Sequence, residues 1–231
     1  MEAQKTFIRQ LIRRYAHLDS KQIMDNLLED FKLHYDRPVS SMNDLRDRDS
    51  KKVRGDMLEA FCQMYFEEVV TKNGTHWYTN VWLLNEVPEK VRNRLKLKKQ
   101  DLGIDLVLQD LNGEFSAVQV KYRQHPKYKS KNVIGWKQLS TFYALVKRTG
   151  EGNPASWKKH IVFTNADFIR HVGEKDPKDQ TYAIGSLRRI KKDHWMRMIG
   201  DSGQKVTQTK IRRMTREQLR EARLKAFSKL N

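Results

Sequence analysis

Residues 103–123, GIDLVLQDLNGEFSAVQVKYR, constrain the fold more than any other stretch of this chain. Two apolar runs, Ile104 to Gln109 and Phe115 to Arg123, flank the turn-forming residues Asp110 to Gly113. Runs rich in β-branched and aromatic residues, joined by such a turn, read as a β-hairpin. Alternation places Ala117, Gln119, Lys121 and Arg123 on one face of the second strand, with Val118, Val120 and Tyr122 on the other. The apolar face is expected to meet the core. The opposite face is expected to present an amide beside an ammonium, with Asp105 of the first strand next to them.

The flanking segments supply layers for this hairpin. Phe7, Ile8, Leu11, Ile12 and Tyr15 recur at helical spacing, as do Ile23, Met24, Leu27, Leu28 and Phe31. Asp19 or Ser20 is placed to cap the second of these helices. The polar stretch from Arg37 to Lys52 reads as a linker. A third helix is expected over Val53 to Val70, with Leu58, Phe61, Cys62, Tyr65 and Val69 as its apolar stripe. TNVWLLNEV reads as a strand and Glu89 to Leu97 as a short helix. After the hairpin, Gly135 to Lys147 offers Trp136, Leu139, Phe142, Tyr143 and Val146 for helix packing, and HIVFTN, His160 to Asn165, reads as a further strand. Helix, strands, helix, strand is the order of an α/β domain with a helix-covered sheet.

Charge narrows the class of partner. Lys and Arg outnumber Asp and Glu 46 to 28, for a net charge of +18. A field of that sign attracts polyanions, nucleic acid foremost. Residues 188–231 hold 14 of the basic residues against 4 acidic ones, and TREQLREARLKAF within them has helical spacing. No stretch is apolar enough for a membrane span, and the N-terminus has no signal-peptide core, so no membrane partner is expected. The single cysteine, Cys62, excludes an internal disulfide and a multi-cysteine zinc site. The expectation is a soluble, intracellular protein, cytoplasmic or nuclear.

An acid, an amide oxygen and a lysine converging at a sheet edge suit phosphodiester hydrolysis. Oxygen ligands hold a hard cation such as Mg²⁺. The cation stabilises charge at phosphorus, and a lysine can orient or deprotonate the attacking water.

The same residues resemble the core of the PD-(D/E)xK nuclease superfamily, in the Mrr-like and viral helicase-associated variant with a Gln-x-Lys motif. Asp105 matches the Asp of that signature, Gln119 stands where Asp or Glu is usual, and Lys121 matches the Lys. Gly103 matches a glycine that such relatives carry two residues before the Asp. Glu59, in VRGDMLEAF, takes the place of a further acid on an upstream helix. The resemblance implies a restriction-endonuclease-like α/β core, a central mixed β-sheet flanked by helices. Here the core is expected over residues 51–187, with an N-terminal helical extension over 1–50 and a basic, mostly helical segment over 188–231.

The resemblance also implies Mg²⁺, with Mn²⁺ as a substitute, held by Glu59, Asp105, Gln119 and the backbone carbonyl of Val120. Lys121 would act on the water. DNA is expected to lie along Arg123, Lys127, Lys129, Lys131 and Lys137, with a second basic cluster at Arg188, Arg189, Lys191 and Lys192. The reading is a DNA endonuclease: restriction-like, branched-DNA resolving, or the nuclease part of a helicase-nuclease. A second copy or a helicase domain is the partner this implies. Because Gln119 removes one negative charge from the site, a catalytically inactive DNA-binding module of the same fold stays open beside it.

Overall fold

The computed structural model describes residues 1–33, 50–72, 75–98, 103–124, 131–150, 153, 157–170 and 176–200. The expected linker over 37–49, Lys127, Lys129 and the tail helix beyond 200 lie outside these residues.

Three helices open the chain: α1 (Glu2–Tyr15), α2 (Ser20–Leu33) and α3 (Ser50–Glu68). Asp19 caps α2. Its Oδ1 accepts the Gln22 N–H at 2.8 Å while Gln22 Oε1 accepts the Asp19 N–H at 3.3 Å, so two orphan amides of the helix start are satisfied reciprocally. A two-residue pair, β1 (Thr71–Lys72) and β2 (Thr75–His76), precedes β3 (Tyr78–Leu83). The strand ends earlier than its apolar run predicts. Leu84–Glu86 is a 3₁₀ turn, held by Glu86 Oε2, which accepts the Leu83 N–H at 3.3 Å.

After α4 (Glu89–Arg94) come the hairpin strands β4 (Leu106–Asp110) and β5 (Phe115–Lys121). Asp110 Oδ1 accepts the N–H groups of Asn112 and Glu114, both at 2.9 Å, and closes the turn. Gly113 supplies the positive φ of 76° that the turn needs. The rest runs β6 (Val133–Gly135), a 3₁₀ turn (Trp136–Gln138), α5 (Ser140–Gly150), β7 (Lys159–Thr164), β8 (Phe168–Arg170), β9 (Asp179–Tyr182), α6 (Ile184–Leu187) and α7 (Lys192–Met198).

The main sheet has the order β3-β4-β5-β7-β9. Its first three strands are antiparallel neighbours and its last three are parallel, so the sheet is mixed. Strands β6 and β8 form a separate parallel ribbon. Central β5 is buried on both faces, which differs from the open polar face that its sequence predicts. Val118 and Val120 join Leu106, Leu108, Ile161 and Phe163 under α1, α2 and α3. Ala117 joins Val107 and Val162 under α5, against Phe142 and Val146. Of the polar residues of β5, Ser116 and Gln119 are buried within the layers and Lys121 emerges at the C-terminal end.

Packing does not break at residue 50 or at residue 187. Ile8, Leu11, Ile12, Ile23, Met24 and Phe31 share one apolar cluster with α3, the sheet, and Leu187, Trp195 and Met198. No helix of the described residues is long and apolar enough to cross a membrane.

Candidate active site

Asp105 stands one residue before β4, yet its backbone is laddered on both sides. Its N–H donates to Val118 O at 2.8 Å, and its carbonyl accepts the Leu84 N–H at 2.9 Å. Its carboxylate turns to β5, where Oδ2 accepts the Val120 N–H at 2.6 Å and also the Gln119 side-chain amide. Burial raises this carboxyl above the ordinary range, while the Val120 and Gln119 donors and the Lys121 charge pull the other way. Gln119 is itself buried. Because its NH₂ group serves Asp105, its oxygen is the end left for a further ligand.

Gly103 explains how the chain reaches Asp105. Its φ of +128° is a conformation that side chains rarely adopt, and a Cβ there would meet the Phe142 backbone N at 3.1 Å. The approach to α5 is open only to glycine.

Glu59 arrives from the other layer, on α3. Its carboxyl is pushed up to about 7 by burial first, then by the charges of Asp105 and Asp56, with Lys121 opposing. The ionisation of Glu59 thus responds to the charges of both Asp105 and Lys121. Cys62, one turn further along α3, is buried and feels the same two acids. Its thiol is pushed well up and is inert as a nucleophile.

Lys121 ends β5 beside β7, where its carbonyl accepts the Thr164 hydroxyl at 2.7 Å. With Tyr122, Arg123, Ile134 and Gln138 it lines a cavity of about 320 Å³. The strand end is clamped by Asn165, whose Oδ1 accepts the Arg123 N–H at 2.7 Å and whose Nδ2 donates to Arg123 O at 2.8 Å. Neither Thr164 nor Asn165 is foreseen from the sequence. Their signal is the polar pair that closes the apolar run HIVFTN.

The predicted basic residues divide. Arg123 lines the Lys121 cavity, and Lys131, Lys137, Arg189 and Lys191 are exposed. Arg188 and Lys192 are engaged in structure instead. Arg188 pairs with Asp25 of α2 at 2.7 Å. Lys192 Nζ donates to Leu18 O at 2.7 Å and to Ala16 O, closing the end of α1.

A divalent cation fits the donors present. Glu59 and Asp105 are half-buried carboxyls, each raised above its ordinary range, and with the Gln119 amide oxygen they make the donor chemistry of a hard cation. Among the described residues no group of three or more His, Cys, Asp or Glu side chains is placed to hold a metal. The site offers two acids and one amide, as Gln119 dictates.

No curated protein and no solved structure matches this chain. Residues 72–196, more than half of the 231, match the family Mrr_cat_2, described as restriction endonuclease. The matched span holds Asp105, Gln119 and Lys121 and begins after Glu59. The mixed sheet between helical layers agrees with that match, and the chain belongs to this restriction endonuclease family, with a restriction-endonuclease-like nuclease domain.

Proposed function

We propose that the chain is a Mg²⁺-dependent DNA endonuclease that hydrolyses phosphodiester bonds at the C-terminal end of β5, with Mn²⁺ able to substitute. The convergence of Asp105, Gln119 and Lys121 on one strand end, with the carboxyl of Glu59 pushed up to about 7 beside them, carries this reading. Glu59, Asp105, the Gln119 amide oxygen and the Val120 carbonyl would hold the cation. When bound, it supplies positive charge to the phosphate oxygens and acidifies a water.

The chain's own groups do the remainder. Lys121 orients the attacking water and neutralises the charge that grows on the phosphorane oxygens. Asp105 is fixed by the Val120 N–H and Gln119, so the donors are arranged before the substrate arrives. Arg123, Lys131 and Lys137 neutralise flanking phosphates.

Nicking of supercoiled plasmid with Mg²⁺, Mn²⁺ or EDTA tests the proposal. Metal-dependent cutting is expected from the wild type and from neither Asp105→Ala nor Lys121→Ala, with DNA binding by Lys121→Ala retained. Cutting in EDTA, or undiminished cutting by either variant, refutes the assignment. A second reading rests on Gln119, whose neutral amide leaves the site one charge short. On it the chain binds DNA through the same fold without cutting, and calorimetry shows no saturable Mg²⁺ site that Asp105→Ala removes.

A further inference from the structure

Large apolar side chains left in water forfeit the energy of burial, so their placement carries information. Among the described residues Leu111, Trp136 and Phe168 are the exposed large apolar side chains, at 49%, 43% and 37% of their full accessibility. Leu111 is the tip of the β4–β5 turn. The other two belong to one small structure, the β6–β8 ribbon and the 3₁₀ turn that follows it.

Parallel pairing sets Val133 beside Phe168 and Gly135 beside Arg170. Ile134 and Ile169, between them, are buried in the core under α5. Alternation therefore turns Phe168 and Arg170 outward. Lys131 adds its ammonium 5.9 Å from the centre of the Phe168 ring, within range of a cation–π contact.

Trp136 is propped rather than loose. It stacks on Tyr143 with ring centres 5.0 Å apart and planes 12° from parallel. Burial, and then the charge of Asp179 of β9, push the Tyr143 hydroxyl up. Asp179 in turn meets His160 Nδ1 of β7 at 3.1 Å. Trp136 is therefore held by an aromatic neighbour on α5. Ile134 and Gln138, on either side of Trp136 in sequence, line the cavity that holds Lys121.

Cations alone suffice for the phosphates of a duplex, whose base faces are already covered by their neighbours. Exposed rings interleaved with Lys131, Lys137 and Arg170 match a strand whose bases are unpaired, because every base has a face to stack and a phosphate to neutralise. We infer that the β6–β8 ribbon and Trp136 form a stacking platform for unpaired bases, so that the preferred substrate carries single-stranded nucleotides beside the cut. This rests on the nuclease reading for the position of the cut.

Fluorescence anisotropy in EDTA, with labelled oligothymidine and a blunt duplex of equal length, tests it. The wild type is expected to bind the single strand more tightly. Trp136→Ala is expected to weaken that binding by roughly ten-fold and to change duplex binding little, with Trp136→Phe restoring most of the loss. Phe168→Ala, on the other exposed ring, is expected to act in the same direction. Equal weakening on both DNAs, or none on the single strand, overturns the platform. Because binding is read without metal, the two failures separate. Metal-dependent cutting by a wild type that shows no single-strand preference removes only the platform, whereas that preference without cutting of any DNA removes only the nuclease.

Discussion

Glu59 is a carboxyl that burial and two neighbouring acids push toward neutrality, up to about 7 from an ordinary 4.5. Between those two pH values the folded protein holds a proton that the unfolded chain has released. Stability without metal therefore falls as pH rises from 4.5 through 7, by an amount on the order of 3 kcal/mol. Asp105, raised by its burial, contributes with the same sign. Thermal melts in EDTA are expected to show a lower Tm at pH 8 than at pH 5, with the difference reduced in Glu59→Gln. A Glu59→Gln variant that melts with the wild-type pH dependence would place the titrating group elsewhere. On the proposed function the same carboxyl must ionise to hold a cation, so Mg²⁺ affinity rises through pH 7 and binding releases a proton.

At the scale of elements, the decisive feature is how the end of β5 is held. Beyond Lys121 the chain leaves the ladder, and Asn165 replaces it by bonding both the N–H and the carbonyl of Arg123. Thr164 does the same for Lys121 O. Asn165→Ala leaves the Arg123 N–H without its acceptor and the Arg123 carbonyl with only the longer 3.4 Å bond from Asn132 Nδ2, at a cost of about 1–3 kcal/mol, and lets the Lys121 end of the strand move. Cleavage is expected to fall far more than DNA binding, and a plasmid assay beside a gel shift measures both. Equal loss of the two would make Asn165 a residue of general stability only.

The hairpin, with Asp105, Gln119 and Lys121 at one end, was legible because alternation and turn chemistry are local. The three opening helices were legible because their apolar stripes are long. Strand β9, DQTY, was not. It is a four-residue edge strand, half-buried at every position, so it shows no alternation. Helix α7 has only seven residues, and its buried Trp195 and Met198 show no period over so short a span. Trp136, which the sequence offers for helix packing, is exposed. No spacing rule separates a ring that packs under a sheet from one that stacks at its rim.

For the whole molecule, the question is where the folding unit begins. The family match starts at residue 72, but the packing starts at α1. Ile8, Leu11, Ile12, Ile23, Met24, Leu27 and Phe31 are each at most 2% exposed. Burying such side chains is worth roughly 1.5–3 kcal/mol apiece, which together matches or exceeds the roughly 5–15 kcal/mol that holds a typical domain folded. Lys5 reinforces the contact through its 3.0 Å pair with Glu67 of α3, which is mostly shielded from water on the lysine side. Helix α3 carries Glu59 toward the site, so stripping α1 and α2 exposes the back of the very helix that positions a proposed ligand. A chain beginning at residue 51 is therefore expected to lack a cooperative melt and to bind ANS, with cleavage lost. The two helices supplied in trans as a peptide of residues 1–33 are expected to restore part of the folded signal. A truncated chain that melts cooperatively near the wild-type temperature would make α1 and α2 an appendage, and the nuclease core would then be autonomous from α3 onward.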